Sequence, residues 1–273
     1  MNLQVLIATM NQADTSLLEK MNIQSDVVIV NQCDRENKQV FKWKEYTVIW
    51  IDSIERGISR SRNMALRNAT ADICLLCDDD EVLKESYRNN ILQAYEEIPN
   101  ADAIVFNIER VHSNRSEKLF TRIEKIPFYK TYGSVHLSFK RERIMEEGIS
   151  FNVNFGTGSG MYSAGEDAIF CMNIHKKNLK AFVYPAIIAE VSYGQSSWFR
   201  GYNEKYFYDV GAYLAEVYPV MKDVMKCYYP YSFRNLSALT SREIIKYISY
   251  GIKGYQKKLN YEEYMKSIKN NLK

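Results

Sequence analysis

The sequence predicts an α/β fold with a mostly parallel sheet, on three observations. Short apolar runs alternate with helical stretches over the first 110 residues, one of those runs is continuously β-branched, and polar residues follow directly on each run. Parallel strands are buried on both faces, so they read as unbroken apolar segments rather than as alternating ones.

Leu3 to Thr9 is the first strand, and a helical stretch from about Asp14 to Met21 follows it. Asp26-Val27-Val28-Ile29-Val30 is the second strand, Tyr46 to Ile51 the third, and Ile54 to Asn68 a helix. Asp72 to Cys77 is the fourth strand, Lys84 to Glu97 a helix closed by Pro99, and Ala103 to Asn107 the fifth strand. Beyond residue 110 the pattern loosens. A loop from His112 to Lys118 precedes a strand over Val135 to Phe139, a short charged helix to about Glu147, and the Gly-rich run Phe155 to Gly160. A helix is expected from near Glu166 to His175 and a strand from Lys180 to Tyr184, and after Trp198 the chain reads as mainly helical. The expected organisation is a domain over 1–220, with halves at about 1–110 and 111–220, and a helical extension over 221–273.

With 273 residues and ordinary apolar and charged fractions, the chain supports a packed core of this size. Its net charge of +3 hides an uneven distribution. From Lys222 to Lys273 there are eleven Lys or Arg against four Asp or Glu, which leaves the first 221 residues slightly acidic. That pattern argues against a nucleic-acid binder, whose basic residues line the binding face itself. The basic, Tyr-rich end suits peripheral contact with an anionic membrane, or a helical extension packed on the rest of the chain or on a second subunit. The five cysteines are an odd set in a chain too large to need disulfide staples, which points to a reducing cytoplasm. Cys74 and Cys77 have C-x-x-C spacing but lie on a strand, where positions three apart face opposite sides. His112, His136 and His175 make no metal-ligand spacing. The start of the chain has neither the basic region nor the apolar stretch of a signal peptide, and no apolar run approaches the roughly 18 residues of a membrane span, so a cytoplasmic protein is expected.

In open α/β sheets ligands bind beyond the carboxyl ends of the strands, which singles out Thr9 to Gln12, Asn31 to Asp34, Asp52 to Glu55 and Asp78 to Glu81. Asp78-Asp79-Asp80-Glu81 is the strongest feature. Consecutive acids repel one another unless a cation or a helix N-terminus offsets them. One reading is therefore a solvated turn capping the next helix. The other is a site for Mg²⁺ or Mn²⁺, hard ions that choose carboxylate oxygens and bridge them to substrate phosphates. Arg56, Arg60, Arg62 and Arg67 lie at the start of and along the second helix, either on its wet face or ordering loops around a diphosphate. No G-x-x-x-x-G-K or G-x-G-x-x-G pattern is present.

Together, Val5 to Asn11, Gly57 to Asn63, Leu75 to Val82 and Gly165-Glu166-Asp167-Ala168-Ile169-Phe170, preceded by Phe155-Gly156, resemble the family 2 glycosyltransferases with the GT-A fold. The resemblance spans roughly residues 3 to 215. It implies a nucleotide-diphospho-sugar transferase fold, a nucleoside-diphosphate sugar donor, usually a uridine one, and a glycan or lipid-linked acceptor. Carried over by position, Thr9, Asn11 and Asp34 lie around the nucleoside, and Arg62, Asp78 and Asp79 complete the donor site. Asp79 and Asp80 hold Mn²⁺ or Mg²⁺, and Asp167 with Glu166 supplies the base that inverts the anomeric centre. Cys77 stands where many relatives carry a further acid, and Glu190 to Tyr193 lacks the histidine that sometimes completes the metal shell. Gly156, Gly158 and Gly160 suit a lid or an irregular loop, and Trp198 either stacks on an acceptor sugar or packs in a core. The alternatives are a nucleotidyltransferase, which the missing basic Gly-rich loop after the first strand disfavours, and a non-catalytic sugar-nucleotide-binding or partner subunit.

Overall fold

The computed structural model describes residues 1–111, 119–133, 136–192 and 199–270. The predicted His112–Lys118 loop, the start of the strand at Val135, Tyr193 and Trp198 lie outside the described residues. The chain divides into two compact units, Met1–Phe151 with Phe170–Gln195, and Asn152–Ile169 with Ser196–Lys273.

The first unit is built on a sheet of ten strands among the described residues. These are β1 (Leu3–Met10), β2 (Asp26–Gln32), β3 (Asn37–Trp43), β4 (Tyr46–Ser53), β5 (Ile73–Asp78), β6 (Glu81–Leu83), β7 (Ala103–Val111), β8 (Glu124–Lys125), β9 (Leu137–Lys140) and β10 (Ala181–Ser192). The order is β3-β4-β2-β1-β5-β9-β7-β10-β6, with β8 on β10. β4, β2, β1 and β5 are parallel neighbours, in a register that sets Thr9 beside Asn31 and Ala8 beside Asp78. β9 enters antiparallel between β5 and β7.

Period-two alternation sends each central strand to two cores. Leu3, Val5, Ile7, Val27, Ile29, Leu75 and Cys77 face one core with α1 (Leu17–Lys20) and α3 (Tyr87–Glu97). Leu6, Val28, Val30, Cys74 and Leu76 face the other with α2 (Ile58–Asn68), α4 (Arg141–Glu146) and the Phe170–Ile174 part of α5 (Glu166–Lys176). Cys74 and Cys77 thus lie on opposite faces, as strand geometry required, and all five cysteines are free.

Several element boundaries differ from the sequence reading. β3 was not foreseen, because Asn37–Trp43 is an edge strand whose mostly exposed, Lys-bearing residues lack an apolar pattern. The expected Asp14–Met21 helix shrinks to Leu17–Lys20, and the second helix starts at Ile58 rather than Ile54, after Gly57. Glu81–Leu83 pairs with β10 before the third helix, which therefore begins at Tyr87 and not at Lys84. β10 runs to Ser192, past Tyr184, with register shifts between Val183 and Ala189 that absorb Pro185.

In the second unit a bridge between Phe155 and Tyr162 closes the Gly-rich loop. The helices are α6 (Glu204–Val217), α7 (Lys222–Met225), α8 (Tyr229–Phe233), α9 (Ser241–Gln256) and α10 (Tyr261–Asn270). Asn203 caps α6 by accepting from the Tyr206 N–H, and Thr240 with Glu243 forms a capping box at α9. α6 and α9 cross backbone to backbone. A Cβ on Gly211 would lie 2.1 Å from the Ile248 carbonyl oxygen, and one on Gly251 1.9 Å from that of Tyr208, so only glycine fits at either position. Among the described residues no helix is long and apolar enough to cross a membrane.

Candidate active site

The carboxyl ends of β1, β2, β4 and β5 deliver a connected polar network. At the end of β1 the Thr9 hydroxyl donates to Asp79 Oδ2 at 2.5 Å and accepts from Gln12 Nε2 at 2.8 Å. Asn11 adopts a positive φ of 55° and its N–H donates to the Gln32 carbonyl, which turns the chain outward just after the strand. Asn31, buried at the end of β2, accepts from the Gln12 N–H at 2.9 Å and donates to Asp52 Oδ1 at 2.7 Å. Asp52 is buried and also accepts from Arg35 Nε at 2.6 Å and from Trp50 Nε1 at 3.0 Å. Burial pushes its carboxyl up, but the bonds from Arg35, Asn31 and Trp50 outweigh it and hold the group below the ordinary carboxylate range.

The acid turn after β5 is internally ordered. Arg62 on α2 is 3 % exposed, donates from Nη2 to Asp78 Oδ1 at 2.8 Å, and lies 5.4 Å from the Phe151 ring centroid. It is therefore not on the wet face of its helix, the place that amphipathic spacing allowed it. Glu81 is 2 % exposed and its Oε1 accepts from the Asp78 N–H at 2.9 Å, closing the turn from beneath. Burial and the neighbouring Asp78 charge push the Glu81 carboxyl well above the usual range. Asp79 is half-buried and Asp80 exposed by surface area; partial desolvation by the surrounding turn, then the charge of Asp79, raise the Asp80 carboxyl.

The structure thus brings Thr9, Arg62, Asp78 and Asp79 into one network with Asp80 beside them. Asp34 stays apart: its side chain is 98 % exposed and pairs with Arg56 Nη2 at 2.6 Å. The acid buried behind Asp34, at the end of β4, is Asp52. The strand-end rule singled out its position, but the choice of residues passed over it and over Arg35. Asp52 is legible as the first acid after an apolar strand, whereas Arg35 has no sequence signal. Glu190 is held by Lys84 Nζ at 2.6 Å.

In the second unit Glu166 and Asp167 open α5, where negative charge favours a helix N-terminus. Gly165 precedes them at φ 108°, a conformation that disfavours any side chain.

Asp79 and Asp80 offer adjacent hard oxygen donors in one turn. This suits an ion such as Mg²⁺, which uses one or two protein carboxylates and completes its shell with substrate phosphates. Among the described residues no three acidic, histidine or cysteine side chains converge into a self-sufficient metal group.

The profile of Glycosyl transferase family 2 matches residues 8–162, more than half of the chain. The chain belongs to this family. Its matched segment contains the strand ends, Arg62 and the acid turn. A curated relative, the glucosyl-dolichyl phosphate glucuronosyltransferase of Haloferax volcanii, is 24 % identical over 153 residues, which cover 50 % of this chain and 48 % of that protein. The match thus spans about half the length of that relative. Among solved structures, S. aureus TarS 1–349 in complex with UDP-GlcNAc is similar with a TM-score of 0.60 and 13 % identity, over 96 % of this chain and 93 % of that one. The same TarS fragment with UDP gives a TM-score of 0.59 at 12 % identity, over 96 % and 93 %. At these identities the likeness concerns the fold, a GT-A α/β sheet followed by a helical C-terminal region.

Proposed function

We propose that this family 2 chain is an inverting glycosyltransferase moving a sugar from a nucleoside-diphosphate sugar, with UDP as the nucleotide, to a hydroxyl of a glycan or lipid-linked acceptor. The observation that carries the reading is the ordered acid turn at the carboxyl end of β5, with Asp78 fixed by Arg62 and Glu81, and Asp79 fixed by Thr9. The UDP-GlcNAc named for the TarS structure and the dolichyl phosphate glycan named for the Haloferax relative support donor and acceptor of these classes.

In this reading Thr9 and Asn11 line the nucleoside and Asp34 meets it from the exposed rim, where it pairs with Arg56, with Asp52 and Asn31 stiffening the strand ends behind them. Asp79 and Asp80 would hold Mn²⁺ or Mg²⁺, which when bound stabilises charge on the departing diphosphate. Arg62 holds Asp78 in place. Asp167, with Glu166 beside it, removes the proton from the acceptor hydroxyl. The freed oxygen pair forms a bond to the anomeric carbon as the bond to the diphosphate oxygen breaks, and that electron pair leaves with the nucleoside diphosphate. Direct attack from the opposite face inverts the anomeric centre, by the geometric logic that separates inverting from retaining hydrolases.

The test is thermal stabilisation by a panel of nucleoside-diphosphate sugars with and without Mn²⁺, since a ligand that binds the native state raises its apparent stability. At least one uridine donor is expected to stabilise the protein, and Asp79→Ala to abolish the Mn²⁺-dependent part with the fold intact. No stabilisation by any donor refutes the proposal. Donor binding without turnover or donor hydrolysis favours the non-catalytic subunit.

A further inference from the structure

Lys205, Asp209 and Tyr213 follow one another at four-residue intervals along α6, which sets them in one stripe on the helix surface. That stripe runs beside the segment that leads into α5. Asp209 is only 6 % exposed; its Oδ2 accepts from the Ser163 N–H at 3.0 Å and from Lys205 Nζ at 2.8 Å. Lys205 Nζ also donates to Ser163 Oγ at 2.6 Å, so the pair grips both the backbone and the side chain of residue 163. One turn further along α6, a Cβ on Gly165 would lie 3.3 Å from Tyr213 Cδ2. The Gly165 carbonyl accepts the first N–H bond of α5, from Ile169, and Glu166 and Asp167 are the first two residues of that helix.

The ion pair is a poor device for holding α6 itself. Burying a carboxylate with its cation is costly, and apolar residues of similar volume commonly replace such a pair with no loss of stability. Here Asp209 Oδ1 has no hydrogen-bond partner among the described residues, which adds to the cost. α6 owes its place to a separate core, in which Phe207 and Leu214 join Ile244 and Ile248 of α9. Outside α6 the pair bonds only Ser163 among the described residues. Between Ser163 and α5 lie just Ala164 and Gly165, and Gly165 at φ 108° permits the bend without a side chain of its own to hold it. The direction of the first turn of α5 is therefore set from the anchor before it.

We propose that Lys205 and Asp209 are positioning residues, which through Ser163 fix the start of α5 and with it the carboxylate of Asp167. Their part in turnover rests on the reading of Asp167 as the base; the anchor itself does not. Misplacing a reacting group by about 1 Å costs on the order of 10² in rate, so a loosened anchor slows proton removal and leaves the donor site as it was.

The full chain is assayed for UDP release from the UDP-sugar that stabilises it, with water as acceptor, and for binding of UDP alone by calorimetry. In the double variant Lys205→Met with Asp209→Leu, kcat is expected to fall about 10- to 100-fold, while the Kd of UDP stays within about twofold and the melting temperature at or above the parent's. Lys205→Arg, which reaches the same two oxygens, should keep turnover within about threefold of the parent. Hydrogen exchange over residues 159–167 should speed up in the double variant and stay unchanged over α9. A melting temperature that drops together with kcat makes the pair merely structural and overturns the proposal, as does parental kcat or parental exchange over 159–167. Asp167→Asn, measured alongside, tells the two readings apart. If it is inactive while the double variant turns over normally, the base stands and the positioning role falls. If it turns over like the parent, or if the parent releases no UDP, the base assignment falls and takes the positioning role with it.

Discussion

At the scale of the residue, two buried ionic contacts on the first unit have opposite exposures on their partners. Arg62 is enclosed while Asp78 still reaches water, so removing the arginine strands a partly solvated acid next to Glu81. Arg62→Ala is expected to cost on the order of 2–3 kcal/mol in denaturant titration, less than the roughly 3–5 kcal/mol of a fully buried broken pair. Arg62→Lys should recover part of it, since the charge returns without the planar fork. Asp52 reverses the arrangement, with a buried acid and a largely exposed Arg35. Its carboxyl titrates lower in the fold than in the open chain, so it contributes stability above the ordinary aspartate value of about 3.9, lost as pH falls through the folded value. Asp52→Asn should therefore lower stability at pH 7 and flatten its decline below about pH 4, as read from melting temperature against pH. A parallel decline in both proteins removes Asp52 from the acid limb. Thr9, Asp78 and Asp79 were legible because residues directly after apolar strands converge at one sheet end. Arg62 as the fixer of Asp78 was not, because its helix register alone leaves the arginine free to face water.

At the scale of the element, the crossing of α6 and α9 depends on the missing side chains of Gly211 and Gly251. Adding one methyl at Gly251 meets backbone, which cannot swing aside as a side chain can. Gly251→Ala is expected to cost about 3 kcal/mol by forcing the helices apart, at the upper end of ordinary overpacking. Lys253→Ala, at an exposed position of the same helix, should stay within about 0.5 kcal/mol. Equal midpoints for the two variants in chemical denaturation refute the close crossing. β1, β2, β4 and β5 could be read from the chain because strands covered on both faces must be continuously apolar. β3 and β6 could not. One is a polar edge strand, and the other is a three-residue ladder imposed by β10, so neither follows from its own residues. The glycine pair was equally silent, since glycine in a helix signals weakness before it signals contact.

At the scale of the whole molecule, the basic excess of the C-terminal segment meets an apolar surface around α7 and α8. Val220 is 92 % exposed, and Met221, Val224, Tyr228 and Tyr231 are exposed with it, interleaved with Lys222, Lys226 and Arg234. Tyr247 and Tyr255 instead turn inward to bond Glu204 and Glu216, so the tyrosine-rich composition serves packing as well as surface. Peripheral contact with an anionic membrane through residues 220–234 is the proposal this supports, each basic residue near such a surface being worth about 1 kcal/mol. Sedimentation with phosphatidylserine vesicles should carry the protein down at low salt and release it at high salt, and Lys222→Glu with Val224→Glu should weaken binding at least tenfold. Binding to neutral vesicles alone, or no binding to either, excludes the electrostatic version.

The parallel register of the central sheet also fixes an order in time. β1 pairs with β5, so Leu3 waits for Ile73, and β7 likewise waits for β10, Ala103 for Ala181. At a synthesis rate of about 5–20 residues per second, the first strand spends roughly 4–14 s on the ribosome before that neighbour exists. During this interval β1 has only β2 beside it, and the edge that β5 later covers presents unpaired backbone groups to whatever binds nascent chains.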